Sequence, residues 1–293
     1  MKNRRVHLLV FVAVFAGAVI VVTFAARGSR GQSRSSTSKT SGGPVKPTVS
    51  TRAGNTSAAS TAAAARNEVF RNDLTWTFGG KQQRGWYLYD ALLAETLNTN
   101  DAPVSAEFAD AVTKWQKRRG LSASGVLDEN SWMGMVSYWQ GNRLKNRTSA
   151  TPDQLVTVPP ADFYASREAQ HRQVERATYD AYLKMIAAAS DDLKLSANSK
   201  YLKIISAFRS REYQEELRRK SPNAGSAGLA VNNSPHFTGR ALDLYVGGDP
   251  VDTKDANRAI QVNTPAYKWL VRNAEKFGFR PYFYEPWHWE YVK

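Results

Sequence analysis

The chain of 293 residues contains no cysteine. This absence excludes disulfide bonds, thiol nucleophiles and zinc sites built from cysteine. Histidine is also scarce, because only four occur in the whole sequence. A metal site that uses imidazole ligands must therefore be assembled from very few positions, which makes the neighbourhood of each histidine informative.

Acidic residues are missing from residues 1–67, which contain ten Lys or Arg side chains. The rest of the chain carries 30 basic and 26 acidic residues, so most of the formal net charge of +14 comes from this first segment. The later sequence has no run of Lys and Arg interleaved with aromatic residues, which argues against a nucleic-acid partner. A basic segment beside a membrane would instead attract anionic lipid or an anionic polymer.

Residues 1–27 have the features of a membrane anchor. Three basic residues among the first five precede an uncharged, largely apolar stretch of 19 residues, from Leu8 to Ala26. At helical rise this stretch nearly spans a hydrocarbon core, and it exceeds the apolar core of about 7–15 residues in most signal peptides. The basic cluster places the N-terminus in the cytoplasm and the rest of the chain outside the cell membrane. We expect an uncleaved single-pass anchor, with cleavage after Ala25 or Ala26 as the alternative.

Residues 28–66 consist mainly of Ser, Thr, Gly, Ala, Pro and basic residues, with almost no large apolar side chain. A segment of this composition cannot bury enough apolar surface to offset the entropy lost on ordering. The sequence therefore predicts a disordered tether here, with order beginning near Asn67.

Residues 67–145 predict a compact unit of three helices. Apolar residues recur at helical spacing from Trp86 to Leu97. A second helix is bounded by Ser105 as N-cap and by Gly120 as stop signal, and a third runs from Glu129 to Trp139.

Several positions in this unit form one extended pattern. It reads Phe108-x-x-Ala111-Val112-x-x-Trp115-Gln116-x-x-x-Gly120-Leu121, followed by Gly125-Val-Leu-Asp128 and Trp132. The pattern lies within residues 82–140 and resembles the peptidoglycan-binding domain type 1 repeat. The resemblance implies that this unit binds peptidoglycan, although the same aromatic residues are also what the core of a small helical bundle requires.

Residues 146–162 contain three prolines and predict a linker to a C-terminal domain of residues 163–293. Helices and strands alternate there without a βαβ rhythm, so we expect an α+β domain whose mainly antiparallel sheet is flanked by helices. The expected helices are Ala165–Ala189 and a segment from Thr264, as cap, to Gly278; the expected strands are Tyr201–Phe208, Leu242–Val246 and Trp287–Val292.

Two histidines of the C-terminal domain lie close to carboxylates in the sequence. His236 precedes Asp243 by seven residues, and Glu285 precedes His288 by three. A catalytic zinc site takes about three protein ligands plus a water, and a further carboxylate has to accept the proton from that water. The two histidines and two carboxylates supply such a set, although Asp243 and Glu285 could exchange roles. Because Pro286 interrupts strand pairing, we expect Glu285 on a bend before the strand that carries His288.

Three motifs follow one another in the C-terminal domain. They are Ser206-Ala-Phe-Arg209-Ser210-x-x-x-Gln214, then Ser234-x-His236-x-x-Gly239-x-Ala241-x-Asp243, and finally Glu285-Pro-Trp-His288. Together they resemble the LAS-type zinc peptidases, and within them the VanY-like D-alanyl-D-alanine carboxypeptidases of the peptidase M15 family. The resemblance covers residues 155–293.

This resemblance implies that His236, Asp243 and His288 bind Zn²⁺ and that Glu285 is the catalytic base. The implied reaction removes the terminal D-Ala from a D-Ala-D-Ala stem peptide of peptidoglycan by metal-activated water, on the extracytoplasmic side of the membrane. The alternatives are a stem-peptide endopeptidase of the L-Ala–D-Glu type and a non-catalytic peptidoglycan-binding protein. The oligomeric state stays open.

Three further residues acquire roles through the same resemblance. Arg209 would hold the substrate and stabilise the developing oxyanion, because a fixed guanidinium is a strong and always-charged donor. Gln214 and Ser234 would contact the substrate backbone or its terminal carboxylate. The alternative for Arg209 is a structural ion pair.

The sequence departs from the family's pattern at two places. The stretch 280–284 before the last motif is short, where carboxypeptidase relatives often carry a longer loop. Position 290 is Glu, where relatives commonly have Arg. Both departures bear on the length of substrate that the site accepts.

Overall fold

The computed structural model describes residues 57–220 and 233–293, and these residues belong to one compact unit. The anchor predicted at residues 1–27 and most of the tether predicted at 28–66 lie outside the described residues. Within the described ranges, no helix combines the length and apolarity needed to cross a membrane.

The first described helix, α1 (Ala58–Asp73), starts nine residues before the position where the sequence predicted order to begin. The Ser57 side chain caps its first turn, and the alanine-rich run that follows has a high helix propensity. Asn67, fully buried on α1, donates to the Gly125 carbonyl and accepts from the Leu127 N–H. The end of the predicted tether is therefore folded, because alanine supplies helix propensity and a close-packing face without large apolar side chains.

A β-hairpin and three further helices complete the N-terminal part. The hairpin pairs β1 (Thr75–Phe78) with β2 (Lys81–Arg84), and the helices are α2 (Asp90–Leu97), α3 (Ala106–Arg118) and α4 (Glu129–Gly141). The three predicted helices are confirmed, and the Ser105 hydroxyl caps α3 by accepting from the Phe108 amide at 3.1 Å. The hairpin was not predicted, because its strands are short and β2 is entirely polar.

Helix α5 (Arg176–Ser190) is shorter than the predicted helix Ala165–Ala189. The residues before it form β4 (Gln173–Glu175), which pairs with β3 (Leu155–Thr157). Strand β3 lies inside the predicted linker 146–162. The Glu175 side chain then caps the first turn of α5. The predicted start was wrong because local periodicity cannot reveal pairing with a strand some 20 residues away.

An antiparallel sheet organises the C-terminal part, as predicted, and it has four strands. Its strands are ordered β5 (Ile204–Ser206), β6 (Ala241–Leu244), β8 (His288–Tyr291) and β7 (Phe279–Pro281). The register between β6 and β8 places Asp243 opposite His288, and the register between β5 and β6 places Ser206 opposite Asp243. The α+β class is therefore confirmed, and the sheet brings distant motifs together.

The remaining helices of the C-terminal part are short. They are α6 (Leu193–Ser196), α7 (Arg211–Lys220), α8 (Asp255–Asn263) and α9 (Pro265–Asn273). Thr264 caps α9 through its side chain, and a 3-10 turn after α9 ends at Gly278, whose φ is 92°. Both boundary signals were predicted from the sequence, whereas α7, α8 and β7 were not.

One hydrophobic core runs through the N-terminal and C-terminal parts. Phe283 lies at their contact, with its ring centroid 4.8 Å from that of Phe78 and 5.9 Å from that of Trp139. The predicted boundary between residues 67–145 and 163–293 therefore does not coincide with a break in the core. Burial of apolar surface, the main driving force of folding, is shared between the two parts.

Candidate active site

His236 lies in a 3-10 turn, Pro235–Thr238, that leads into β6. The Ser234 hydroxyl caps this turn by accepting from the His236 amide at 3.3 Å. Gly239 ends it with a φ of 66°, and a Cβ at this position would lie 2.8 Å from the Glu175 amide nitrogen. Only glycine fits this conformation and this space, so the turn that aims His236 depends on it.

Asp243 stands between His236 and His288. Its Oδ1 is 2.9 Å from His288 Nδ1, and its Oδ2 is 3.4 Å from His236 Nε2. All three side chains are buried, and one ligand atom from each lies within 4.8 Å of the others. Among the described residues, this is the group of His, Asp or Glu side chains arranged to enclose a metal ion.

The types of ligand, and the hydrogen bond that orients one of them, fit a zinc site. Two imidazoles and one carboxylate are a set found in catalytic zinc sites, which keep a further position open for water. The Nδ1 atom of His236 lies 2.7 Å from the Ala207 carbonyl oxygen, so it carries the proton and leaves Nε2 free as a ligand. Such a contact is the usual way in which a protein fixes the tautomer of a ligating histidine.

The pKa values of two of these groups favour the forms that bind metal. Burial lowers the pKa of His236 to about 4, and the charge of Arg209 adds to this effect. Burial opposes ionisation of Asp243, but the neighbouring His236, His288 and Arg209 outweigh it and hold the pKa of Asp243 well below its usual range. At neutral pH His236 is thus a neutral imidazole and Asp243 a carboxylate, as metal binding requires.

His288 differs from His236 because it lies between two carboxylates. Burial opposes its charged form, but hydrogen bonds with Asp243 and Glu290 outweigh burial and raise the pKa of His288 to about 9. A metal ion at Nδ1 would therefore compete with a proton on this ring.

Glu285 lies on the bend before β8, as the sequence predicted. Its amide donates to the Tyr282 carbonyl at 3.1 Å, and its carbonyl accepts from the His288 amide at 2.9 Å. The structure groups Asp243, and not Glu285, with the two histidines. Burial raises the pKa of the Glu285 carboxyl to about 7, with the charges of His288 and Asp243 acting in opposite directions. A carboxylate with a pKa near neutrality is suited to accept and return a proton.

Arg209 follows β5 and points at the metal-ligand cluster. Its Nη2 donates to Asp243 Oδ2 at 2.7 Å, and its Nε donates to the Ser206 hydroxyl at 2.9 Å. Gln214 on α7 is fully buried and presents its Oε1 to Arg209 Nη1 at 3.5 Å. The Gln214 Nε2 has no hydrogen-bond partner among the described residues. The structure therefore brings Arg209 and Gln214 to the site, whereas the contact it gives for the Ser234 side chain is the cap of the His236 turn.

Two further residues at the site were not predicted to contact the zinc ligands; position 290 had been noted only as a departure from the family's pattern. Glu290 is fully buried on β8, and its Oε1 lies 3.2 Å from His288 Nε2. Arg143, just after α4, forms an ion pair with Glu290. Glu290 could have been found from its spacing, since residues i and i+2 share one face of a strand. Arg143 could not, because it comes from a distant part of the chain.

Parts of this chain are similar to known proteins. The protein YodJ of Bacillus subtilis (strain 168), named as a carboxypeptidase, is 28% identical over 159 residues, which cover 48% of this chain and 54% of YodJ. The chain thus spans about half the length of this relative. Among solved structures, the LdcB LD-carboxypeptidase is 25% identical with a TM-score of 0.36, covering 51% of this chain and 72% of its own. VanYB in complex with D-alanine-D-alanine is 20% identical with a TM-score of 0.30, and the match covers 53% of this chain and 87% of VanYB.

The family match covers the part of the chain that holds the site. Residues 171–293 match VanY, described as D-alanyl-D-alanine carboxypeptidase. This range includes every predicted site residue, from Arg209 to His288. Over these residues the chain is similar to the VanY family of D-alanyl-D-alanine carboxypeptidases.

Proposed function

We propose that this protein is a zinc-dependent D-alanyl-D-alanine carboxypeptidase that removes the terminal D-Ala from peptidoglycan stem peptides. The observation that carries the proposal is the buried cluster of His236, Asp243 and His288, with the free carboxylate of Glu285 on the adjoining bend. This cluster lies within the range that matches the VanY family.

Zinc bound by His236, Asp243 and His288 would supply Lewis acidity, which lowers the pKa of a coordinated water and polarises the scissile carbonyl. The surrounding residues hold these three side chains in place. Strand pairing fixes Asp243 opposite His288, and the capped 3-10 turn fixes His236.

Glu285 is the group suited to move protons in this reaction. It accepts a proton from the attacking water while the water oxygen bonds to the carbonyl carbon of the penultimate D-Ala. When the C–N bond breaks, Glu285 returns that proton to the leaving amine of the terminal D-Ala. The burial that raises its pKa to about 7 makes both transfers possible near neutral pH.

Arg209 and Gln214 would act on the substrate. The tetrahedral intermediate is anionic, so a fixed guanidinium beside it lowers the barrier. Arg209 already donates a hydrogen bond to Asp243, and its remaining N–H groups are the donors for a substrate oxygen. The Gln214 Nε2, which lacks a partner among the residues described, is a further donor for the peptide backbone or terminal carboxylate.

The test is product analysis with a stem pentapeptide that ends in D-Ala-D-Ala. We expect the zinc-loaded protein to release single D-Ala, a chelator to abolish turnover and added zinc to restore it. Replacing Glu285→Gln should keep zinc bound and reduce kcat by about 10²–10⁴-fold, since this is the usual contribution of a general base. The control Glu107→Gln changes an exposed carboxylate on α3 and should leave kcat unchanged.

Other products would identify the alternatives. Cleavage between L-Ala and D-Glu would replace the proposal with an endopeptidase. Zinc binding without turnover of any stem peptide would replace it with a non-catalytic wall-binding protein. Full activity of Glu285→Gln would refute the assignment of the base.

We further propose that residues 67–145 bind peptidoglycan. The support is the sequence pattern around Phe108 and Trp115, both of which are buried in the core. The polymer must therefore contact other, exposed residues of the helical part. Co-sedimentation of the full chain carrying Glu285→Gln with insoluble peptidoglycan, under chelation to prevent binding at the zinc site, would test this. Recovery in the supernatant would contradict it.

Residues 1–27 and 28–66 are proposed as membrane anchor and tether, which would place the catalytic part on the extracytoplasmic side. The support is the charge pattern and length of the apolar stretch alone. Membrane fractionation of cells, with protease added to intact cells or spheroplasts, tests both the anchoring and the orientation. Release of the protein by high salt alone would contradict the anchor.

A further inference from the structure

Glu290 connects the candidate zinc ligand His288 to the helical part of the molecule. The two residues are two apart on β8 and therefore share one face of the strand. The Oε1 of Glu290 lies 3.2 Å from His288 Nε2, while His288 Nδ1 faces Asp243. A proton on Nε2, held by Glu290, leaves Nδ1 as the atom directed at the metal.

Besides His288, the groups that bind the Glu290 carboxylate come from the segment after α4. Arg143 donates to Glu290 Oε1 through its Nε at 3.1 Å and through its Nη2. The Leu144 amide donates to Glu290 Oε2 at 2.9 Å, and Arg147 lies 4.0 Å from Oε1. A carboxylate that is fully buried, as Glu290 is, is costly to keep ionised unless it is paired and hydrogen-bonded.

Arg143 is itself held firmly. Its Nη1 donates to the Gln140 side chain at 3.1 Å, and its guanidinium lies 3.9 Å from the ring centroid of Tyr282. Only 12% of the Arg143 side chain is exposed. The guanidinium is thus held between Gln140 of α4 and Tyr282, which lies between β7 and β8.

We propose that Arg143 and Glu290 are positioning residues that fix the tautomer and orientation of His288, so that the helical part of this protein sets the zinc affinity of the catalytic part. This inference rests on the proposed zinc site. Loss of Arg143 removes two hydrogen bonds that hold the Glu290 carboxylate in place. His288 then loses the fixed acceptor that orients its ring.

The experiment measures zinc affinity by competition with a chromophoric chelator, using the full chain. Loss of such an outer contact typically lowers metal affinity about 10–100-fold, and we expect this range for Arg143→Ala and for Glu290→Gln. The double variant should bind zinc no more weakly than the single variant with the lower affinity, because both substitutions remove the same interaction between Arg143 and Glu290. Arg143→Lys should recover part of the affinity, since lysine keeps the charge but not the forked geometry. The visible spectrum of the cobalt-substituted protein should shift in the same variants.

Two controls separate positioning from loss of stability. Met135→Ala removes a fully buried core side chain of α4 that is not part of the site, so it should lower the melting temperature but leave zinc affinity within twofold. Arg118→Ala removes an exposed charge on α3 and should change neither quantity.

The outcomes distinguish the two proposals. Wild-type protein that binds no zinc would overturn the zinc site and this inference with it. Wild-type protein that binds zinc, together with an Arg143→Ala variant of unchanged affinity and unchanged cobalt spectrum, would overturn the positioning role alone. A loss of zinc affinity in Met135→Ala equal to that in Arg143→Ala would also overturn the positioning role.

Discussion

The shared core can be tested by replacing Phe283→Ala. Phe283 is 1% exposed, and its ring contacts aromatic rings from both parts of the molecule. The partners with ring centroids within 6.4 Å are Trp76, Phe78, Tyr89, Trp139, Tyr282 and Tyr284.

The expected loss of stability follows from burial and ring contacts. A buried Phe→Ala change costs about 3–5 kcal/mol through lost transfer free energy and the cavity left behind. Three of the six partners lie on β1 and α4, where the backbone pairing limits collapse into the space, so we expect about 4 kcal/mol. For a unit of this size each kcal/mol lowers the melting temperature by about 2–4 °C, which gives a decrease of about 8–16 °C.

The assay is thermal unfolding followed by calorimetry and by tryptophan fluorescence. Since one core joins the two parts, we expect a single transition that moves as a whole in both signals. Val69→Ala on α1 and Ile260→Ala on α8 serve as controls, because these side chains are 55% and 58% exposed and should shift stability by no more than about 0.5 kcal/mol. Two transitions of which only one moves, or a shift no larger than in the controls, would refute the shared core.

Two further predictions concern the site. First, the pKa of Glu285 is raised from 4.5 to about 7 by burial, so its contribution to stability is present below pH 4.5 and is lost as pH rises through 7. This pKa difference between the unfolded and folded protein corresponds to on the order of 3 kcal/mol of unfolding free energy. Glu285→Gln should therefore stabilise the zinc-free protein by up to this amount at pH 8 but not at pH 4.5. Equal urea midpoints of the variant and the wild-type protein at pH 8 would contradict this prediction. Second, Gly239→Ala should destabilise by about 2 kcal/mol or more, since a Cβ there meets the Glu175 backbone at 2.8 Å with φ at 66°. Gly80→Ala is its control, with a φ of 73° but no atom within 4 Å, and its urea midpoint should fall by clearly less.

Local chemistry made several elements readable from the sequence. A hydroxyl before an amphipathic run, as at Ser105 and Thr264, satisfies free amides of the first helical turn, and Gly278 adopts a positive φ that ends a helix. The donor types of the metal site were equally visible, because an imidazole or a carboxylate keeps its ligand chemistry wherever the chain places it. These features depend on a few neighbouring residues and can therefore be predicted without knowledge of the fold.

Contacts between residues that are distant in the chain were not readable from local sequence patterns. The role of Glu290 depends on Arg143, which is 147 residues away in the chain, and the start of α5 depends on the pairing of β4 with β3. The family resemblance had assigned the ligand role to Asp243, but chemistry alone left Asp243 and Glu285 exchangeable, and it is the register of β6 and β8 that places Asp243 opposite His288. Such contacts form only when chain segments of unrelated sequence pack together, so no local pattern encodes them, and folding alone brought them into one site.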